Sequence, residues 1–289
     1  MPYKNPKTGK NVIVFSPTLG GISIKVPCGQ CIGCRLERSR TWAIRCMNEA
    51  QLHENNYFLT LTYNDENLPL HNTLYPPHLQ LFFKRLRKSQ SVRYFACGEY
   101  GDENDRPHYH AIIYNLRLDD RKYYKTKNGF GLYTSDMLTK MWGLGHVNFG
   151  SVTFESCAYV ARYIVKKQNG QKGLTHYNVR DENGNYLCER QPEFVRMSLK
   201  PGIGSGFYEN YKSDMYPEGR TILRGGISSK TPRYYDDKYA ITNPTEMDLI
   251  KEQRRLKAQE HEKDQTRARL DAREIVHLAK NKQLKRTLE

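Results

Sequence analysis

Residues 93–114 read RYFACGEYGDENDRPHYHAIIY. Arg93 to Glu99 and His108 to Tyr114 carry the aromatic and aliphatic bias of strands. Gly101 to Pro107 is a polar run of turn-forming residues. The two strands are expected to pair as an antiparallel hairpin with a long loop. Paired around that loop, Glu99 lies opposite His108, with Cβ atoms about 4.5–5.5 Å apart on a shared face. His108 and His110 flank one residue, and alternate strand residues point the same way. One carboxylate and two imidazoles would then converge and leave open positions on an ion. Such a set suits Mg²⁺ or Mn²⁺ acting as a Lewis acid on phosphate, with the basic Arg106 beside it. Tyr109, Ala111 and Ile113 would face the opposite side, under helices. Two other readings stand: a His-x-His pair that decorates an exposed strand, and a hydrolytic zinc set, which more often sits on a helix with His-x-x-x-His spacing.

Working outward, Tyr57 to Tyr63 (YFLTLTY) is a further strand. Before it, Leu36 to Glu54 has a helical pattern with Trp42, Ile44, Cys46 and Leu52 as apolar positions. After it, Pro76-Pro77 opens a helix whose Leu79, Phe82, Phe83 and Leu86 fall at i, i+3, i+4, i+7. Ser135 to Trp142 is a helix, His146 to Val152 a strand and Glu155 to Gln168 a helix. From Tyr57 the order is β-α-β-β-α-β-α. It predicts an α+β fold, a small antiparallel sheet with helices packed on it. The chain divides into an N-terminal segment with a cysteine knuckle and helix (1–54), a core (55–170), an irregular Gly- and Tyr-rich extension of the same domain (171–243) and a charged helical tail (244–289). A hairpin signal stands in the extension at Asn183-Gly184.

The last core helix reads ESCAYVARYIVKKQ from Glu155. Tyr159, Tyr163 and Lys166 cluster within about 60° of arc, while Cys157, Ala161 and Ile164 form a stripe nearly opposite. The tyrosines are therefore expected off the apolar face, the alternative being phenols packed at a core edge. A phenol has a pKa near 10. To attack phosphorus it needs a metal, or the Lys166 ammonium, to stabilise the negative charge. A phosphotyrosine bond would keep a cut strand attached for rejoining. A second tyrosine could attack while the first still holds a DNA end.

Composition points to the same kind of partner. The 289 residues contain 46 Lys and Arg against 31 Asp and Glu, a net charge of +15, and 21 tyrosines. Cations interleaved with aromatics suit single-stranded nucleic acid, through phosphate attraction and base stacking. No stretch approaches the ~20 apolar residues of a membrane span. Val12 to Phe15 is too short for a signal peptide, so a cytosolic protein is expected. Seven cysteines is an odd number. Cys28, Cys31 and Cys34 have C-x₂-C-x₂-C spacing, and Cys46 would complete a tetrahedral zinc site; a reduced knuckle capping the next helix is the alternative. PGIGSG, holding Gly202, Gly204 and Gly206, lacks a following Gly-Lys-Ser/Thr and reads as a turn, so no nucleotide cofactor is expected. In the tail, Lys280, Lys282, Lys285 and Arg286 would suit phosphates or a partner, if they are more than a solvated helix face.

The His-hydrophobic-His triplet, the upstream Glu99, the strand Phe58–Thr62 and the Tyr-x-x-x-Tyr-x-x-Lys helix together resemble the HUH endonucleases. AYVARYIVKK is similar to their two-tyrosine branch. PCGQCIGCRLERSRTWAIRC, GEYGDENDRPHYH and MSLKPGIG resemble the replication initiators of gokushovirus-type microvirus phages, from about Cys28 to Tyr235. The resemblance implies an RRM-like HUH core and rolling-circle initiation through a 5′-phosphotyrosine. It implies Glu99, His108 and His110 as ligands to Mg²⁺ or Mn²⁺, Tyr159 and Tyr163 as nucleophiles, and Lys166 near the scissile phosphate. Partners would be single-stranded and origin DNA, with a host helicase and polymerase, in the host bacterial cytoplasm. Tyr109 departs from the aliphatic residue frequent between the two histidines. Two other functions fit the residues: a non-enzymatic single-strand binder with a zinc knuckle, and an HUH transposase.

Overall fold

A computed structural model describes residues 26–101, 104–127, 129–166, 175–223 and 225–283. Strand β1 (Asn56–Tyr63) runs through the middle of a seven-stranded antiparallel sheet. Its sequence alternates, so Leu59, Leu61 and Tyr63 point to one face and Phe58, Thr60 and Thr62 to the other. β2 (Arg93–Tyr100), β3 (Pro107–Tyr114), β4 (Lys122–Lys127), β5 (Phe130–Thr134) and β6 (Gly145–Ser151) follow. β7 (Asn178–Arg180) and β8 (Tyr186–Glu189) form a separate hairpin, and β9 (Phe194–Met197) returns to the main sheet. The sheet order is β4-β5-β6-β1-β3-β2-β9.

Both faces are covered. On one, helices α1 (Ile32–Ala50) and α4 (Phe154–Lys166) pack Ala43, Cys46, Cys157, Val160 and Ala161 against Phe58, Phe95 and Ile112. On the other, α2 (Pro76–Ser89) and α3 (Asp136–Trp142) pack Leu79, Phe82, Phe83, Leu86, Leu138 and Trp142 against Leu59, Leu61, Tyr109, Ala111 and Ile113. Burying one such side chain contributes about 1.5–3 kcal/mol. The α3 ends are set by local chemistry. The Ser135 hydroxyl accepts from the Leu138 N–H at 3.1 Å, and Gly143 closes the helix at φ 69°.

A third cluster, rich in tyrosine, joins α5 (Ser205–Met215), α6 (Arg233–Thr242) and α7 (Pro244–Glu260) through Tyr208, Tyr216, Tyr235, Tyr239, Met247 and Ile250. A short hairpin of β10 (Arg220–Leu223) and β11 (Ile227–Lys230) precedes α6, and α8 (Arg267–Gln283) follows α7.

The α+β architecture agrees with the sequence expectation, with two differences. The hairpin β4–β5 is additional. Within the segment 171–243, the described residues 175–223 and 225–243 are not wholly irregular: they supply the edge strand β9 and the α5–α6 cluster. The PGIGSG loop turns at residues 201–204 as expected, and is held by α1 and β2. The Gly204 N–H donates to buried Glu49 Oε2 at 2.6 Å, Arg45 Nε to the Ile203 carbonyl at 3.0 Å and Arg93 to the Pro201 carbonyl at 2.7 Å. Gly204 has φ +76°, and a Cβ there would collide with the Tyr235 hydroxyl. These contacts give the glycines a structural role. The Asn183-Gly184 signal falls on the β7–β8 turn as expected. The described part of the tail, to residue 283, is mostly helical as expected; Lys280 is exposed, while the side chains of Lys282, Lys285 and Arg286 lie outside the described residues. No helix among the described residues is long and apolar enough to cross a membrane.

Candidate active site

β3 lies between β1 and β2, so its register brings three strands to one site. Glu99 pairs with His108, and His108 in turn with Thr62; Cys97 pairs with His110, and His110 with Thr60. Paired residues share a face. Glu99, His108, His110, Thr60 and Thr62 therefore all point to the side covered by α1 and α4.

Glu99 Oε1 stands 2.7 Å from His108 Nε2 and 2.8 Å from His110 Nε2. All three side chains are buried, His110 completely. Each imidazole is held by its other nitrogen. His108 Nδ1 lies 3.1 Å from the Arg106 carbonyl, which can only accept, so Nδ1 donates there and Nε2 is the nitrogen turned toward Glu99. His110 Nδ1 lies 3.1 Å from Thr60 Oγ1. Phe58 stacks on the His110 ring at 5.3 Å between centroids. Burial pushes the Glu99 carboxyl up, but the hydrogen bonds and charge of His108 and His110 outweigh it and hold the pKa at about 2. The group is a carboxylate at working pH.

One carboxylate oxygen and two imidazole nitrogens within 4.8 Å of one another, each ring oriented through its second nitrogen, fit a divalent cation. Neither Thr60 nor Phe58 was singled out as a site residue from sequence. The period-two spacing of Phe58, Thr60 and Thr62 on β1 was the signal for both.

Tyr159 meets this cluster from α4. Its hydroxyl donates to Glu99 Oε1 at 3.4 Å, and its ring stands edge-on to His110 at 5.1 Å. Contrary to the expectation that it avoids the apolar face, Tyr159 is 5% exposed and packs within the core. α4 is held between α1, whose Ser39 hydroxyl donates to the Ala158 carbonyl at 3.0 Å, and the sheet. Two sides of the helix are thereby buried rather than one. Tyr163 and Lys166 follow on the same helix, and their side chains lie outside the described residues.

The metal-site face continues across the sheet. His146 and Asn148 of β6 pair with Thr62 and Thr60 and are exposed and half-buried. Beyond them, β5 pairs Tyr133 with Phe149, which belongs to the opposite face. Leu132 and Phe130 are therefore on the site face, with their β4 partners Lys125 and Lys127. Phe130 and Lys125 are exposed. At the mouth of the hairpin loop, Arg106 pairs with Asp65 at 2.8 Å and donates to the Tyr63 carbonyl at 3.0 Å.

Cys28, Cys31 and Cys34 gather at the start of α1, but Cys46 does not join them. It is fully buried in the core beneath α1. It lies twelve positions further along α1 than Cys34, a rise of about 18 Å. The expected four-cysteine site is corrected to a cluster of three.

The family model for the replication-associated protein ORF2/G2P matches residues 56–168, from β1 to just past α4. The chain is similar to the replication-associated protein VP4 of Bdellovibrio phage phiMH2K, at 36% identity over 253 residues, covering 84% of this chain and 73% of that protein. It is similar to the replication-associated protein ORF2 of Spiroplasma virus 4, at 34% identity over 251 residues, covering 81% and 74%. With the replication-associated protein ORF4 of Chlamydia phage 1 it shares 32% identity over 227 residues, covering 74% of this chain and 53% of that protein. No solved structure matches the chain.

Proposed function

Because the chain belongs to the replication-associated proteins of gokushovirus-type phages, we propose that it initiates rolling-circle replication by cutting one DNA strand through tyrosine attack at the Glu99, His108 and His110 site. The observation that carries this reading is the Tyr159 hydroxyl, 3.4 Å from Glu99 Oε1 and beside two oriented imidazoles. A phenol buried against a hydrogen-bonded carboxylate and a histidine pair supports a role in chemistry on phosphate.

Glu99, His108 and His110 would hold Mg²⁺ or Mn²⁺. When bound, the ion supplies Lewis-acid polarisation of the scissile phosphate. The residues of the chain do the rest. Tyr159 or Tyr163 forms the new bond from its phenolic oxygen to phosphorus, and the bond from phosphorus to the 3′-oxygen breaks. The 5′-phosphate stays on the tyrosine, and the departing 3′-oxygen takes up a proton as a hydroxyl on which a polymerase can extend. The phenolic proton points at Glu99 Oε1 in the resting site. Lys166 would stabilise charge on the phosphate. One phosphodiester is exchanged for another, so the step is nearly isoenergetic and can be reversed to rejoin the strand without a nucleotide cofactor. The strand would lie on the sheet face past Thr62, His146 and Asn148 toward Lys125, Lys127 and Phe130, where cations and an aromatic meet phosphates and bases. Unwinding and synthesis would fall to a host helicase and polymerase.

The test is a covalent-adduct assay. Full-length protein is incubated with labelled single-stranded DNA carrying the cognate origin and Mn²⁺, then denatured. A protein–DNA band that survives denaturation is expected. The double change Tyr159→Phe plus Tyr163→Phe should abolish it and leave DNA binding intact. A band that persists in the double variant removes the tyrosine assignment. Binding with no adduct from any origin-bearing strand would make the protein a non-enzymatic single-strand binder.

A further inference from the structure

Among the described residues, the sheet site is accompanied by one other cluster of potential metal ligands. Cys28, Cys31 and Cys34 bring their Sγ atoms within 4.8 Å of one another, and Cys28 and Cys34 stand 3.9 Å apart. Local backbone builds the group. Gly29, at φ +74°, turns the chain between Cys28 and Cys31. The Cys31 N–H then donates to Cys28 Sγ at 3.2 Å. Cys31 caps α1 and Cys34 sits in its first turn, so the two share a helix face.

The spacing of the sulfurs selects a chemistry. Two thiolates on one tetrahedral ion, each about 2.3 Å from it, stand about 3.8 Å apart. Thiolates on different irons of a cubane cluster stand about 6 Å apart, and a disulfide requires about 2.0 Å. The Cys28–Cys34 distance of 3.9 Å matches the single ion. The chain offers no fourth soft donor there. All seven cysteines and all nine histidines lie within the described residues, and the cluster has three members. Cys28 and Cys31 are exposed, so the remaining direction faces solvent.

We propose that Cys28, Cys31 and Cys34 bind one Zn²⁺ through three thiolates and leave its fourth position to an exchangeable water, open to a thiolate or imidazole from another molecule. Zinc sites closed by four protein ligands are structural, whereas three ligands leave a position for exchange. The ion would pin the residues before α1 to the helix that covers the catalytic sheet face. This site is separate in the sequence and in ligand type from the carboxylate–histidine site, which gives it an independent readout.

Cobalt(II) reports both the sulfurs and the open position. Reduced, metal-free, full-length protein titrated with Co²⁺ is expected to develop sulfur-to-cobalt charge-transfer absorption and tetrahedral visible bands at one equivalent, reversed by Zn²⁺. Added imidazole or a small thiol should shift the visible bands. The variant Cys28→Ser plus Cys31→Ser plus Cys34→Ser should lose the charge-transfer band, weaken zinc binding about 100-fold or more, and keep its circular dichroism. Glu99→Gln should keep the band, because that site holds no sulfur. Cys46→Ala and the partly exposed Cys188→Ala should keep it as well. Absence of the band from the wild type, or its persistence in the triple serine variant, would overturn the proposal. So would its loss in a folded Cys46→Ala or Cys188→Ala protein, or visible bands that neither imidazole nor thiol moves.

Discussion

Thr60 Oγ1 lies 3.1 Å from His110 Nδ1, directly across the β1–β3 register. That contact fixes which nitrogen of His110 faces Glu99. Thr60→Val keeps the shape and removes the hydroxyl. It is expected to weaken Mn²⁺ binding about 10- to 100-fold, the usual cost of losing a group that orients a ligand. Isothermal titration of wild type and variant measures it, and an unchanged affinity would show that His110 is oriented by packing alone.

The depressed Glu99 pKa has a consequence on the acid side. The carboxyl is held at about 2 in the folded, metal-free protein, against an ordinary value of 4.5. A depressed pKa gives stability that is fully present above the unfolded value and lost as pH falls through the folded one. Urea unfolding of metal-free protein should therefore lose on the order of 3 kcal/mol between about pH 4.5 and about pH 2. Glu99→Gln should lack that portion of the pH dependence. Parallel pH curves for the two proteins would contradict the pairing.

Tyr159 and Tyr163 are separable by kinetics. With Tyr159 already against Glu99, Tyr159→Phe is expected to slow the first cleavage in a single turnover by about 100-fold or more. Peptide mapping should then find any remaining adduct on Tyr163. A first-cleavage rate equal to wild type would assign that attack to Tyr163 and leave Tyr159 to the rejoining step.

Lys125 and Lys127 share the face that carries the histidines. Changing both to Gln should weaken single-stranded DNA binding at low salt and reduce the slope of log affinity against log salt by about 1.4, near 0.7 per phosphate contact. Adduct formation at saturating DNA should be unaffected. Fluorescence anisotropy across a salt series reads the slope, and an unaltered slope would remove the β4–β5 hairpin from the DNA path.

The parts of this molecule legible in its sequence were those set by local periodicity. A hairpin with Glu99 facing His108 follows from two strands and a turn close in the chain, and the structure has that register. The stripe of Leu79, Phe82, Phe83 and Leu86 likewise gave α2 its buried face. What escaped depends on distant partners. In β4, both faces carry Lys and Tyr at the edge of the sheet, so no apolar alternation marks it. Tyr159 is buried because α1 crosses α4, a contact between segments more than a hundred residues apart. Spacing alone groups Cys46 with the other cysteines, whereas the orientation of α1 sends it into the core. The same limit applied to Thr60, whose role exists only once β1 lies beside β3.

β9 comes from the extension and adds to the free side of β2, the strand that bears Glu99. Its four residues cap a row of backbone donors and acceptors. A protein shortened to end after α4 would keep every residue of the carboxylate–histidine cluster, yet leave Phe95 to Gly98 as an open template for another chain. Solubility, and not chemistry, would be the first property lost. The segment matched by the family model is therefore a unit of sequence similarity but not a unit of folding, and trimming the chain to it would favour edge-to-edge aggregates.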